Sequence, residues 1–432
     1  MSAMENQEKQ PKIVHKLLVR TFVLLLAVAA VFLGIQRVLE WRKDPDAGSS
    51  DTNGMIAAIE ILPEGQQAVL FDSTGKKIPS PDYTVGKADR DIVWRPDGNR
   101  LFFSSDRTAG AYHLFRWNIG TQKVDQRSTG TLSKFDPSFQ AVPPASDAAT
   151  LAAAGNIALI TQGGFVLAFD IREASSQQLL PPPGDVTVGS EEGSGGTGQF
   201  DALYKRFGNS FRSARWAGNG DYIVAIMKRD EGEVLIVQKL NATEKEDLVP
   251  RPIFGGDRID FDIDPNTGAV VFTVLNFQFP DMENIPKENI KNGKAVKPFL
   301  HGIFLMDVTK PVSEGLVPIA VSNEMIQAFG PPAISPDGTQ IAVTTGNYDQ
   351  TNYEPGGLAI MPAKAAGMQE GSPLVRGRIY EVSWHPNGTS LVYIKREGRE
   401  RAIFKINRDG SGETKVSDGG NFMTPKLSPQ SK

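Results

Sequence analysis

WRPDGNRLFFSS, from Trp94 to Ser105, is the first of five related stretches in the chain. Proline presets φ for a turn, Asp or Asn tolerates left-handed backbone, and Gly adopts positive φ without steric cost. The residues after the turn alternate with the period of a half-buried strand. Each stretch therefore predicts a β-hairpin, and the other four are WAGNGDYIVAIM (Trp216–Met227), IDPNTGAVVFTV (Ile263–Val274), ISPDGTQIAVTT (Ile334–Thr345) and WHPNGTSLVYIK (Trp384–Lys395).

A second apolar–turn–apolar piece follows several of these hairpins. Examples are HLFRWNIGTQKV (His113–Val124), FVLAFDIREASSQQLL (Phe165–Leu180), GIFLMDVTKPVSEGLVPI (Gly302–Ile319) and AIFKINRDGSGETKVS (Ala402–Ser417). Two hairpins make a four-stranded unit, and two neighbouring complete copies lie 50 residues apart. That spacing approaches the period of propeller blades. A lone sheet of this size buries too little apolar surface, so such units stack radially around an axis.

The turn motif resembles the repeat of TolB-like, WD-type β-propellers over residues 55–432. The resemblance implies an all-β propeller of four-stranded blades. Full blades are predicted to begin near Asp91, Lys134, Phe211, Arg258, Gly330 and Ile379.

The two ends of this region predict one more blade. Residues 56–78 have the pattern of middle and outer strands, and Phe422–Pro429 has that of a first strand without a successor. Joining them closes a seventh blade and removes an exposed sheet edge. In the alternative, Ile61–Gly65 is itself a hairpin turn and the ring has six blades. We favour seven.

The amino-terminal region predicts a single transmembrane helix at residues 17–39. Its 23 residues span about 34 Å at 1.5 Å per residue, enough for a hydrocarbon core of about 30 Å. Arg20 and Arg37 would lie near its two ends, and Trp41 at an interfacial position. Residues 1–16 then form a cytoplasmic tail, residues 40–54 a flexible linker, and residues 55–432 the propeller.

Two other interpretations of this segment stay open. Ala27-Val28-Ala29 has the form of a signal-peptide cleavage site, although it lies inside the apolar run. A buried core helix is the second, but the segment is hydrophobic on all sides and has basic flanks. The longer basic run before the apolar core indicates a cytoplasmic amino terminus. The expected location is the bacterial inner membrane, as a single-pass protein with its propeller in the periplasm or outside.

Composition excludes several classes of function. The formal net charge of −4 argues against a nucleic-acid partner, because phosphate binding needs a basic face. The chain has no cysteine, which excludes disulfides, thiolate metal sites and a cysteine nucleophile.

Candidates for catalysis are sparse. The four histidines are His15, His113, His301 and His385, and no two have the spacing of zinc ligands. His113 and His301 each stand just before a predicted strand, and His385 is expected to be a solvated turn residue. There is no G-x-S-x-G elbow and no phosphate-binding loop of the P-loop type. The sequence therefore predicts no catalytic residue, metal site or cofactor.

One run has a calcium-like pattern. Asp260, Asp262, Asp264 and Asn266 alternate, as oxygen ligands do in calcium loops. The glycine and the late glutamate of such loops are missing. We therefore interpret the run as a strand with one polar face that enters a turn.

Three insertions interrupt the repeats, and loops on a rigid scaffold often carry binding residues. Residues 183–209 are rich in Gly and Ser, and residues 276–299 carry four lysines, which could contact anionic headgroups or an acidic partner. Residues 346–357 hold the candidate binding residues, which are Tyr348, Asn352, Tyr353 and Glu354.

The tryptophans that recur at one repeat position have a simpler interpretation. Trp94, Trp216 and Trp384 could form aromatic platforms for sugars, but packing between adjacent blades is the expectation.

The resemblance implies a non-catalytic scaffold that binds another envelope protein or a cell-wall polymer, as part of a membrane complex. One alternative is a propeller enzyme, a sugar, lactone or polysaccharide hydrolase or lyase, with a carboxylate or metal site in its channel. The other is an extracytoplasmic ligand sensor. Acidic side chains converging on one point of the channel would favour the enzyme.

Overall fold

The computed structural model describes most of the propeller region and none of the first 51 residues. The described ranges are 52–108, 110–143, 146–182, 210–229, 232–242, 250–277, 290–291, 294–295, 301–322, 328–349, 351–364 and 372–429. The predicted helix at residues 17–39 and the Gly/Ser-rich insertion at residues 183–209 lie outside them. Within these ranges, no helix combines the length and the apolar character needed to cross a bilayer.

Seven four-stranded antiparallel sheets form the described fold. This arrangement confirms the all-β propeller and the seven-blade count. Strands are numbered along the chain, and blade 1 unites its two ends. Its strands, from the inside outward, are β30 (Phe422–Leu427), β1 (Ile56–Leu62), β2 (Gly65–Phe71) and β3 (Lys77–Pro79).

Closure of the ring follows the predicted join. Ile56 pairs with Leu427, so the last strand is the innermost strand of the first blade. Leu62 pairs with Gly65, and the chain does turn between them, as the six-blade alternative assumed. That turn connects two strands of the closing blade, so it does not reduce the number of blades.

Blades 2 to 4 are continuous in sequence. Blade 2 contains β4 (Asp89–Trp94), β5 (Arg100–Ser105), β6 (His113–Asn118) and β7 (Lys123–Gln126). Blade 3 contains β8 (Lys134–Ser138), β9 (Ile157–Gln162), β10 (Phe165–Asp170) and β11 (Ser175–Leu180). Blade 4 contains β12 (Phe211–Ala217), β13 (Tyr222–Arg229), β14 (Gly232–Lys239) and β15 (Arg251–Gly256).

Blades 5 to 7 complete the ring. Blade 5 contains β16 (Arg258–Ile263), β17 (Val270–Leu275), β20 (His301–Met306) and β21 (Leu316–Ser322), with β18 (Ile290–Lys291) and β19 (Lys294–Ala295) paired in its insertion. Blade 6 contains β22 (Ala328–Ile334), β23 (Gln340–Tyr348), β24 (Tyr353–Pro362) and β25 (Ser372–Arg376). Blade 7 contains β26 (Ile379–Trp384), β27 (Ser390–Glu397), β28 (Glu400–Asn407) and β29 (Thr414–Lys415).

Short helices occur only outside the sheets in the described ranges. The helix α1 (Ala148–Ala154) lies in the connection between β8 and β9, and Asp147 caps it by accepting a hydrogen bond from Thr150 N at 2.7 Å. A second, α2 (Val312–Gly315), precedes β21. Gly218–Gly220 form a 3-10 turn at the second repeat motif.

The strand order defines two faces of the ring. The innermost strands of blades 2 and 4 to 7 each end at a Pro-Asp-Gly-like turn, so these turns share one side, which we call the turn face. The hairpins that join the second and third strands of each blade lie on the opposite side, which we call the hairpin face.

The core consists of layers between blades. Seven apolar clusters of described residues each combine side chains from two adjacent blades, and together they complete the ring. Trp94 and Trp384 lie in two of these layers, and Trp216 packs against a third. Their predicted packing role is confirmed. Burial of apolar surface contributes about 25 cal/mol per Å², so these layers supply the main stabilisation of the ring.

Candidate functional site

The central channel is a concave feature with a volume of about 720 Å³. The seven innermost strands supply its wall. At the turn face, Leu151 of α1 also lines it. Arg95 Nε donates to the carbonyl oxygen of Gly155 at 3.1 Å and so ties the end of this helix to the turn of blade 2.

Backbone bulges recur on the innermost strands and expose amide groups. Asp91, Asp136, Ser213 and Thr424 have φ between 51° and 56°, in the left-handed region. The ladder register shifts near each of them, which removes N–H groups from the regular pairing. A buried N–H group without a partner is costly, so these amides need acceptors from elsewhere.

Carboxylates of the preceding blade supply those acceptors. Asp136 N–H donates to Asp91 Oδ2 at 3.2 Å, and Ser213 N–H donates to Asp136 Oδ2 at 3.4 Å. Thr424 N–H donates to Glu381 Oε2 at 2.8 Å. A related bond joins Ile334 N–H to Asp262 Oδ2 at 3.0 Å. We call these four bonds the inter-blade latches.

Burial shifts the ionisation of these groups. It raises the pKa of Asp91 to about 6, and the charge of Asp136 adds to the rise. Burial also raises the pKa values of Asp260, Asp262 and Glu381. Such shifts are common at functional sites, but structural networks produce them too.

Basic side chains balance the carboxylates within the channel. Arg258 Nε donates to Asp260 Oδ2 at 2.8 Å, and Arg212 Nε donates to Glu233 Oε1 at 2.8 Å. Burial lowers the pKa of Arg215, although nearby carboxylates favour its charged form. In the described ranges, no three Asp, Glu or His side chains are grouped as metal ligands. The acids are distributed around the ring, and four of them bind backbone amides of the next blade.

The calcium-like run has the predicted structure. Asp260 and Asp262 lie in β16, and Asp264 is in the turn that follows. Asp264 Oδ1 accepts from Asn266 N–H at 2.9 Å, and its Oδ2 accepts from the Thr267 hydroxyl at 2.7 Å. The interpretation as a strand entering a turn is confirmed.

A smaller polar pocket of about 360 Å³ adjoins the channel at the hairpin face. Tyr348 and Tyr353 line it together with Thr351, while Asn352 and Glu354 do not. The segment that holds them is a long β23–β24 hairpin in which Tyr348 pairs with Tyr353. Its length explains why the sequence had the pattern of an insertion.

The two tyrosines are anchored rather than freely presented. Tyr348 is 6% exposed, and its hydroxyl donates to Asp257 Oδ2 at 3.1 Å. Tyr353 Oη bonds Thr344 Oγ1 at 3.1 Å. Burial raises the pKa of both hydroxyls, so both are neutral donors at pH 7.

The other two candidates lie on the outside of this hairpin. Asn352 N–H donates to Asp349 Oδ1 at 2.7 Å within the hairpin tip, and Glu354 is 3.9 Å from Arg378 Nη2. A binding role for any of the four residues stays a prediction.

One prediction about histidine is wrong. His385 is 7% exposed rather than solvated, and its Nδ1 accepts from Asn387 N–H at 3.3 Å. Its backbone closes the turn, since His385 N–H donates to Ser390 O and Gly388 N–H donates to His385 O, both at 2.8 Å, and the residue is buried there, so its position in a turn motif did not imply solvation. His113 and His301 begin β6 and β20, as expected near strand starts, and both are buried.

The inter-blade latches were not among the residues predicted from the sequence, although the sequence holds a signal for them. Asp91, Asp136, Ser213 and Glu381 each lie three residues before a large aromatic residue of their strand motif. A polar residue three positions before the aromatic residue of a strand motif is therefore the sequence signal of a latch.

No family model matches the chain, and no curated protein matches it. Solved structures do. TolB from Acinetobacter baumannii is 13% identical, with a TM-score of 0.47 over 88% of this chain and 67% of that one. An oligogalacturonate lyase in complex with manganese is 10% identical, with a TM-score of 0.49 over 85% of this chain and 86% of that one.

A puromycin-hydrolysing peptidase of Mycobacterium tuberculosis is also similar. It is 11% identical, with a TM-score of 0.50 over 86% of this chain and 55% of that one. The similarity to all three extends to the propeller fold alone.

Proposed function

We propose that this protein is a non-catalytic propeller scaffold, anchored by its amino-terminal segment in the bacterial inner membrane, that binds another envelope component within a membrane complex. The partner is a protein or a cell-wall polymer. The anchor and the envelope location rest on the apolar run at residues 17–39 and its basic flanks.

The inter-blade latches are the observation that carries the proposal. A catalytic acid must reach a substrate atom, either directly or through one water molecule. Asp91, Asp136, Asp262 and Glu381 instead accept hydrogen bonds from backbone amides. Because these bonds join adjacent blades, the acids of the channel wall serve the integrity of the ring.

The route of the chain places both ends of the described propeller on one face. Thr52 Oγ1 donates to the carbonyl oxygen of Gly98 at 2.9 Å, in the turn of blade 2, and bonds Ser428 Oγ at 3.0 Å. Ser428 N–H donates to Met55 O at 2.9 Å. Both ends of the described propeller therefore leave at the turn face, and a partner at the hairpin face would not meet them.

Purification from membranes tests the scaffold. We expect the full chain, solubilised in gentle detergent after mild cross-linking, to elute with a partner in fixed proportion. The Asp262→Asn variant is the matched control, since it keeps an oxygen acceptor for Ile334 N–H and should retain the partner. Recovery of the full chain alone would contradict the proposal, as would a hydrolase or lyase activity that Asp262→Asn abolishes.

The anchor has its own test. We expect the full chain to remain in the membrane pellet after alkaline carbonate extraction, while a chain that begins at residue 50 is soluble. Extraction of the full chain into the supernatant would contradict the anchor and leave the scaffold proposal standing.

A further inference from the structure

A row of arginines crosses blade 7 at the hairpin face. Arg396 of β27 is directly opposite Arg401 of β28 in the antiparallel register. Arg378 lies beside Arg396 on the other side, just before β26. Ile379 of β26 pairs with Lys395 of β27, and Arg396 N–H donates to Arg378 O at 2.9 Å. With strands about 4.8 Å apart, three cationic residues lie within about 10 Å.

This arrangement does not favour stability. Like charges directly opposite on paired strands are destabilising. The Arg401 guanidinium lies 4.3 Å from the centre of the Tyr380 ring, which stabilises one cation. Arg396 Nε donates to Gly398 O at 3.1 Å. This acceptor is a neutral carbonyl oxygen, so the bond does not neutralise the charge of Arg396.

Two further exposed arginines flank the row. Arg376 ends β25 just before Arg378, and Arg399 is in the turn between β27 and β28. Within the described part of the chain, neither Arg376 nor Arg399 forms an ion pair. We call Arg376, Arg378, Arg396, Arg399 and Arg401 the arginine surface.

The neighbouring acids do not neutralise it. Glu397 is opposite Glu400, so both alternate with Arg396 and Arg401 and project to the other side of the hairpin. Glu397 Oε2 bonds Lys415 Nζ at 3.0 Å on that side. Glu354 lies 3.9 Å from Arg378 Nη2, and burial raises the pKa of Glu381 more than the nearby Arg401 cation lowers it.

We propose that the arginine surface docks an acidic segment of a partner protein. This inference rests on the proposed scaffold function and specifies the chemistry of its partner. Planar guanidinium groups bind carboxylates through paired hydrogen bonds, and arginine is enriched at protein interfaces. Carboxylates of the bound partner would then offset the repulsion between Arg396 and Arg401.

Two other occupants fit the surface less well. Stable binding to a bilayer needs an apolar contribution besides charge, and the large exposed apolar side chains of the described ranges are Val85, Leu132 and Ile157, on other blades. A sugar polymer would stack on an aromatic ring, and Arg401 already covers the ring of Tyr380.

Site-specific cross-linking tests the docking. A photoreactive phenylalanine analogue replaces Arg399 in the full chain, in the cells that make it. The same analogue at Lys123, which is exposed on the turn face, is the control. We expect a defined protein adduct at 399 and none at 123, with the cross-linked segment rich in Asp and Glu.

Charge reversal provides the second arm. The double variant Arg376→Glu/Arg396→Glu is compared with Lys76→Glu/Lys123→Glu, which makes the same change in net charge on the turn face. The probe is a labelled 12-residue peptide of alternating Glu and Ser, followed by fluorescence anisotropy. We expect the arginine double variant to bind the peptide about tenfold more weakly than the wild type, and the lysine double variant to bind it as the wild type does. Added salt should weaken peptide binding by the wild type and by the lysine variant.

The outcomes separate the hypotheses. Vesicles that contain phosphatidylglycerol and polygalacturonate serve as competing probes, and arginine-dependent binding of either one in place of the peptide would overturn the proposal. Equal loss in both double variants, or no adduct at 399, would do the same. If the peptide binds as expected but the full chain always purifies alone, the docking surface stands and the scaffold function fails.

Discussion

The turn face and the hairpin face of this propeller arrange charge in different ways. On the turn face, carboxylates bind their own loops. Asp337 Oδ1 accepts from Thr339 N–H at 3.0 Å, and Asn266 Nδ2 donates to Pro336 O of the next blade at 2.8 Å. On the hairpin face, Arg396 and Arg401 are opposed and lack carboxylate partners of comparable geometry.

The difference follows the repeat. The turn motif recurs in five of the seven blades, and its Asp and Asn side chains accept from or donate to backbone groups of the same turn or the next one. The hairpins between second and third strands differ in length and side chains from blade to blade, as loops on a rigid scaffold commonly do. The polar groups of the turn face are satisfied within the ring, whereas Arg396 and Arg401 oppose each other, and the proposed docking surface rests on this difference.

The largest expected effect is on stability, at a buried ion pair of the hairpin face that joins blades 1 and 2. Asp89 is fully buried, accepts from Arg107 at 2.6 and 3.0 Å, and accepts Ala68 N–H of blade 1 at 2.9 Å. Asp89→Ala leaves a buried guanidinium unpaired and should cost about 3–5 kcal/mol of unfolding free energy. Urea unfolding measures it.

The exposed pair of Glu397 and Lys415 is the control for that experiment. Glu397→Ala should cost less than about 1 kcal/mol, because an exposed ion pair contributes little. Equal losses in the two variants would show that the buried pair does not hold blades 1 and 2 together.

The next effect concerns pH and the inter-blade latches. Between pH 4 and 6 the folded state binds the extra proton of Asp91, whose pKa of about 6 lies above the ordinary 3.8. The stability of the wild-type chain relative to Asp91→Asn should therefore fall as pH rises through that window. The full difference is of order 3 kcal/mol by pH 7. Urea titrations at several pH values measure it.

Asp349, at the tip of the β23–β24 hairpin, should change stability with pH in the opposite direction to Asp91. Hydrogen bonds from Thr351 and Asn352 lower the pKa of Asp349 to about 2. Its contribution to stability is present above pH 4 and is lost as pH falls through 2. Asp349→Asn should therefore be less stable than the wild type at neutral pH. If the stability of the wild type relative to Asp349→Asn fell as pH rose, as is expected for Asp91→Asn, this prediction would be wrong.

A third effect compares two turn glycines. Gly268 has φ of +69°, and a Cβ there would lie 2.5 Å from Gly218 N of the neighbouring blade. Gly388 has φ of +70°, and its nearest atom would be Pro336 Cδ at 3.9 Å. Gly388→Ala should cost roughly 1–2 kcal/mol from backbone strain alone, and Gly268→Ala more. Thermal unfolding ranks the two, and a reversed order would contradict close packing of adjacent turns.

The smallest effect is the sharpest test of the comparison. Arg396→Glu removes a like-charge opposition with Arg401, so stability should stay constant or rise by about 0.2–1 kcal/mol. Calorimetry measures the change. A clear loss of stability would mean that the row supports the blade rather than a partner.

Much of the fold could be predicted because its signals are local. The Pro-Asp-Gly turns and the strands after them lie within 12 residues of sequence, and five copies place most of the ring. The closing blade could also be predicted, because Phe422–Leu427 has the pattern of a first strand and Ile56–Leu62 has that of a second strand. The sites were less predictable. Tyr348 and Tyr353 do share a pocket, but their hydroxyls already bind Asp257 and Thr344.

The strand pattern and the repeat could be predicted from the sequence alone, because turn geometry and period-two alternation act between near neighbours. The sequence favoured seven blades over six, and the pairing of Ile56 with Leu427 established seven. The roles of the charged groups became clear only in the folded ring. Asp91 meets the amide of Asp136 across 45 residues, and Arg378 comes beside Arg396 across 18. Those contacts depend on how strands register and blades adjoin, and that depends on the whole ring rather than on any single motif.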